Sequence, residues 1–166
     1  SSYGQHVLKN TVLEALDIGK SKSWLDDVTY KIRKLEDRLA NQSNQTIRKA
    51  KSPTIETVLF GSKIISTIDE GSELNCINYR TAVDNNIPFT ATRHTAQGAG
   101  STRMTLMGET STNICLTVNS KKHDIRWNLG KVIVVKELTV PLLIGEPGNG
   151  KTFFKKFKKD FSPIDT

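Results

Sequence analysis

The rhythm of apolar and polar positions changes near residue 53. Before it the spacing is helical. Val7, Leu8, Thr11, Val12, Ala15 and Leu16 recur at intervals of a helix face, and Gly19 follows where a C-terminus favours positive φ, so a short helix ends near Ile18. Ser23 then offers an N-cap, with Asp26 three residues on, ahead of Leu25, Val28, Ile32, Leu35 and Leu39. Those five form a seam of about two heptads, short of what a coiled coil sustains, so an amphipathic helix packed on its own domain is the preferred reading. Residues 41–53 are polar and aperiodic and end in Lys-Ser-Pro, the texture of a linker.

Beyond the linker the pattern becomes short β-type runs. Residues 56–60 and 63–68 flank Gly61-Ser62, a two-residue connection suited to a tight hairpin. Further runs fall at 75–79, 103–107, 113–118, 125–127, 132–135 and 141–144, punctuated by Gly, Asn and Ser. This predicts a mainly β domain over residues 53–150, preceded by a helical extension and linker over 1–52 and followed by a Lys/Phe tail over 151–166. Gly98-Ala99-Gly100 reads as a flexible tip between two runs.

Charge alters this picture less than its total promises. The chain has 166 residues and a net charge of +7, which points towards nucleic acid. Residues 1–52 hold ten basic and six acidic side chains, residues 53–150 nine of each, and residues 151–166 five and two. The β domain is neutral and the excess lies at the ends, which are candidates for weak nucleic-acid contact. Cys76 and Cys115 lack metal or disulfide spacing and read as small core residues, and His6, His94 and His123 share no ligand spacing, so no metal or other cofactor is expected. No stretch has the length of an apolar membrane span, and no signal-peptide pattern opens the chain, which fits an intracellular, cytoplasmic protein.

The most informative stretch is the apolar run ending in Asp69-Glu70-Gly71-Ser72, followed by a second apolar run from Leu74 to Ile77. Asp-x-Gly is also an ordinary turn signal, as at Asp17-Ile18-Gly19, but Asp69 is delivered by an apolar strand end. Burial there would raise its pKa, as acid/base chemistry requires. About eighty residues later Leu143-Ile144-Gly145 again runs from an apolar strand into glycine.

With the opening hairpin, the Asp69-x-Gly71-Ser72 loop, the Gly-rich stretch Gly98-Ala99-Gly100 and the Leu143-Ile144-Gly145 end motif in this order, residues 54–148 resemble the retropepsin-like aspartic proteases, in particular those of LTR retrotransposon polyproteins. The resemblance implies a retropepsin-like, closed barrel-type half-site domain that forms a homodimer. It implies Asp69 as the catalytic group, with Glu70, Gly71 and Ser72 in its loop, and Gly98, Ala99 and Gly100 at the tip of a substrate-covering flap. The implied activity is endoproteolysis of a retroelement polyprotein, inside the cell or within virus-like particles. One aspartate per subunit makes two chains necessary, because paired carboxylates sharing a proton divide the roles of base and acid. One departure stands out. The family has Ser or Thr directly after the catalytic Asp, bracing the two loops across the dimer, and this chain has Glu70. Either Glu70 turns outward, towards a basic group such as Arg103, or the domain is a catalytically silent dimerisation scaffold.

A competing pattern overlaps the end motif. Gly145-Glu146-Pro147-Gly148-Asn149-Gly150-Lys151-Thr152 matches the P-loop expression and follows an apolar strand. A nucleotide-binding module is therefore a further alternative, disfavoured because neither parallel α/β alternation nor a later strand-ending acid accompanies it.

Overall fold

The computed structural model describes residues 21–44, 52–92, 104–119, 124–157 and 159. It contains a first helix, α1 (Lys22–Asn44), then strands β1 (Thr54–Leu59), β2 (Ser62–Ile68) and β3 (Cys76–Asn78) and a short helix α2 (Tyr79–Asp84). Strands β4 (Phe89–Ala91), β5 (Thr105–Thr110), β6 (Cys115–Asn119), β7 (Asp124–Asn128), β8 (Ile133–Lys136) and β9 (Leu142–Ile144) follow. A 3-10 turn at Glu146–Gly148 leads into α3 (Gly150–Lys156). The strands form one curled sheet in the order β4-β5-β8-β3-β9-β2-β1-β6-β7. The mainly β class with a helix at the N-terminal side is thus as the sequence predicts.

Local chemistry explains where boundaries differ from expectation. The first hairpin turns one residue early: Leu59 pairs with Ser62, and Phe60 (φ 50°) and Gly61 (φ 80°) form the connection in place of Gly61-Ser62. Positive φ at both positions is the type I′ geometry whose twist matches a hairpin. Helix α1 is capped by Ser21, not Ser23: the Ser21 hydroxyl accepts the Trp24 amide at 3.0 Å, placing Ser23 inside the first turn. The helix also runs on to Asn44, into the predicted linker. Strand β3 stops at Asn78, whose side chain accepts the Arg80 and Thr81 amides and starts α2. The segment predicted to end near Ile18 lies outside the described residues, as do the tip glycines.

Central strands are buried on both faces. On β9, Leu142 and Ile144 enter one apolar cluster and Leu143 the other; on β8, Val134 faces one way and Ile133 and Val135 the other. Their continuous apolar runs follow from this. Strands β6 and β7, Ala82 of α2, Phe153 of α3 and Phe157 just after it complete the first cluster. Helix α1 closes the second: Val28, Ile32 and Leu35 are buried against Leu74, Cys76, Met104, Leu106, Ile133, Val135, Leu138 and Leu143. The seam of the sequence therefore docks on the chain's own sheet. Burial of each such side chain is worth about 1.5–3 kcal/mol.

The basic tail is likewise core over its first part. Trp127 meets Phe153 edge-on at 5.1 Å between ring centroids, and Phe157 lies 4.9 Å from Phe153, while the lysines of α3 face outward. Phe153 and Phe157 therefore belong to the core, and the lysines give the segment its basic surface. Phe153→Ala is expected to destabilise the fold by about 3–5 kcal/mol, read from urea unfolding, because it empties a site closed on all sides. A loss under about 1 kcal/mol would place α3 outside the core.

The two cysteines differ in environment. Cys76 is fully buried, and desolvation pushes its thiol up from 9.0 to about 12; Cys115 is partly accessible. A native chain at pH 8 should therefore show one readily titrated thiol with an aromatic disulfide reagent, the second appearing only on unfolding. The proton is retained by the folded state, so Cys76 contributes a loss of stability as pH rises from about 9 towards about 12, at about 1.4 kcal/mol per pH unit.

Candidate active site

The position of Asp69 follows from one topological fact: β9 lies between β2 and β3, parallel to β2 and antiparallel to β3. The chain leaving β2 must pass over the end of β9 to reach β3, and residues 69–75 make that crossing. Ile68 pairs with Ile144, and the next amide, that of Asp69, donates to the Ile144 carbonyl at 2.9 Å. The end motif and the Asp loop are thereby adjacent, although about seventy-five residues separate them.

Hydrogen bonds within the loop and to the end motif fix its shape. The Asp69 carboxylate, through Oδ1, accepts the Gly71 amide at 3.0 Å, and the Asp69 carbonyl accepts the Ser72 amide at 3.0 Å, closing a tight turn. The Ser72 hydroxyl donates to the Leu74 carbonyl at 2.8 Å and accepts the Leu74 amide at 3.1 Å. The Ser72 carbonyl accepts the Glu146 amide at 2.8 Å, and Asn75 Oδ1 accepts the Gly145 amide at 2.8 Å. A Cβ on Gly145 would stand 2.4 Å from the Leu74 carbonyl oxygen, so contact between loop and end motif requires glycine there.

The Asp69 side chain is only 3% exposed, and it also accepts Nη2 of Arg38, from α1, at 2.5 Å through Oδ1. Its second oxygen, Oδ2, is buried without a hydrogen-bond partner among the described residues. A buried carboxylate oxygen left bare is costly, and such groups mark places where another donor belongs. Around it, Lys34 of α1 meets Glu73 at 2.7 Å, which raises the lysine's pKa through that hydrogen bond. Arg33 Nη1 donates to the Met104 carbonyl at 3.1 Å, and Glu36 Oε2 accepts the Met104 amide at 2.7 Å.

The predicted residues Asp69, Gly71 and Ser72 therefore come together with Leu143, Ile144 and Gly145. Glu70 stands apart, exposed to solvent. Gly98, Ala99, Gly100 and Arg103 lie outside the described residues, between β4 and β5, which pair antiparallel. Two site residues escaped sequence reasoning. Asn75 reads as an ordinary strand-starting polar residue, and Arg38, three residues after Leu35, adjoins the buried seam without anything in the sequence to select its partner.

The phosphate-loop pattern has a different use here. Amides that would face a phosphate are already engaged: Gly145 with Asn75, Glu146 with Ser72, Gly148 and Gly150 with the Gly145 carbonyl, and Asn149 with the Glu146 carbonyl. Those five amides are not available to a phosphate, which binds to free inward-facing N–H groups.

No protein-family model and no curated protein matches the chain. Among solved structures it is similar to the retroviral protease-like domain of Ddi1 from Leishmania major, with 16% identity and a TM-score of 0.42 over 66% of this chain and 80% of that one. A retropepsin-like aspartic protease from Rickettsia conorii gives 14% identity and a TM-score of 0.37, covering 72% and 96%. The EIAV protease complexed with the inhibitor HBY-793 gives 15% and 0.33, covering 69% and 95%. Likenesses this loose carry no argument of their own, and the functional reading rests on the strand crossing and the loop.

Proposed function

We propose that the chain is a retropepsin-type aspartic endopeptidase that works as a homodimer, with Asp69 of each subunit forming the catalytic pair. The observation that carries this reading is the buried Asp69 carboxylate, set on a loop braced by a crossing strand end and left with Oδ2 bare. Oδ1 makes the local bond that any such turn makes; what sets Asp69 apart is the burial of the unpartnered Oδ2. In the dimer, one carboxylate takes a proton from water as it attacks the scissile carbonyl, and its protonated neighbour donates to the carbonyl oxygen. The substrate is a peptide segment of a polyprotein, and the retroelement, cytoplasmic or particle-bound setting extends the sequence resemblance.

A second reading has its own observation. The position after Asp69 carries exposed Glu70, which cannot donate the hydroxyl hydrogen bond that braces paired loops, and this favours a silent dimerisation scaffold. The two readings separate in one experiment. The chain of residues 1–166 and its Asp69→Asn variant are incubated with a mixed peptide library at mildly acidic pH over a range of protein concentrations. The protease reading expects product to rise faster than linearly with chain concentration, and Asp69→Asn to lower it about 10²–10⁴-fold. Equal cleavage by both chains sinks the assignment of Asp69; a dimer that cleaves nothing at any concentration and pH, even when Arg38→Gln frees Asp69 from the α1 cation, selects the scaffold.

A further inference from the structure

The sheet face beside Asp69 already has an occupant. Helix α1 makes three kinds of contact there, each with a different chemical group. Its apolar seam, Val28, Ile32 and Leu35, fills the floor formed by residues such as Leu74, Met104 and Leu143. Its Arg33 and Glu36 take the carbonyl and the amide of Met104. In extended backbone these two groups of one residue point to the same side, where a neighbouring strand would pair with them. Its Arg38 holds Asp69, and the guanidinium packs so closely on Gly71 that a Cβ there would overlap it.

An apolar floor, a main-chain donor and acceptor, and a carboxylate are what an extended peptide would engage at this site. We infer that α1 is a built-in inhibitor: it occupies the peptide-binding face and blocks Asp69, and its release is the activating step. This rests on the reading of Asp69 as the catalytic group. Two consequences follow from geometry. With Arg38 on Oδ1, the carboxylate of a second subunit has no room to approach this edge, so docked α1 opposes pairing as well as substrate entry. Arg38 is also open to solvent on its own side: its side chain is 40% exposed while that of Asp69 is 3% exposed. Loss of the cation leaves an uncompensated buried anion, a cost that a new partner or departure of the helix relieves.

The test uses the full chain carrying Arg38→Gln, and separately Ile32→Asp with Leu35→Asp, each also combined with Asp69→Asn. Dimerisation is followed by sedimentation velocity and cleavage by the same peptide library. Both substitutions are expected to tighten self-association and accelerate cleavage about tenfold or more, with Asp69→Asn removing the cleavage. Because the double substitution removes core contacts, Arg38→Gln decides the matter if that chain fails to fold. Self-association and cleavage unchanged by Arg38→Gln, with cleavage still dependent on Asp69, overturns the inhibitor role and leaves the protease reading intact. Tighter dimers with no cleavage in any background support the blocking role and overturn the protease reading.

Discussion

Passage of β9 between β2 and β3 is the constraint on which the rest of the structure depends. It forces the connection of those two strands to cross a strand end, and a crossing loop of this kind cannot hydrogen-bond as a ladder does. Its groups are instead satisfied one by one: the Asp69 amide by Ile144, the Ser72 carbonyl by Glu146, the Gly145 amide by Asn75. The result is a short, rigid loop whose side chains are aimed by backbone contacts on both sides. The glycine at the end of β9 serves the same crossing, because any side chain there would meet the carbonyls of Ser72 and Leu74. One motif read from the sequence as two competing signals thus has one structural use.

The second organising fact is that the central strands have two apolar faces and therefore need two covers. Helices α2 and α3 and the outer strands cover one, and α1 covers the other. The cover over the Asp69 face is contributed by a segment that the sequence marks off from the β domain by composition and by charge. A face so apolar requires burial, by this helix or by something that replaces it. The choice between those covers is a choice between a resting chain and one able to engage another molecule.

Much of this was legible beforehand, for identifiable reasons. Short apolar runs and turn residues located eight of the nine strands, because apolar patterning and Gly or Asn punctuation are local properties. Three-residue β4 after Pro88 carries too little alternation to be seen, and α2 was hidden because Asn78 serves as both strand end and helix cap. Asp69 and Gly145 were found because their surroundings are unusual in sequence. Arg38 and Asn75 were not, since an arginine or an asparagine gains meaning only from the partner that folding brings to it. The same limit governed the tail, where alternating Lys and Phe suits a solvated segment as well as a helix with one buried stripe.

Magnitudes decide what holds α1 and what gives it specificity. The ion pairs at its rim are weak individually: a solvent-exposed pair such as Lys34 with Glu73 adds little, and less in salt. Three buried seam residues, at about 1.5–3 kcal/mol each before the entropy of ordering, supply most of the adhesion. Adhesion of that kind is insensitive to register, since one helical turn up or down would still bury leucine and isoleucine. Charge removes the ambiguity. Arg38 must reach Asp69, and Arg33 and Glu36 must straddle Met104, so a shift of a single turn would leave a buried carboxylate with no cation, only the Gly71 amide on Oδ1 and nothing on Oδ2. The apolar seam sets how firmly the helix stays, and the arginine sets where it sits, which is on the one carboxylate that the fold has taken such care to position.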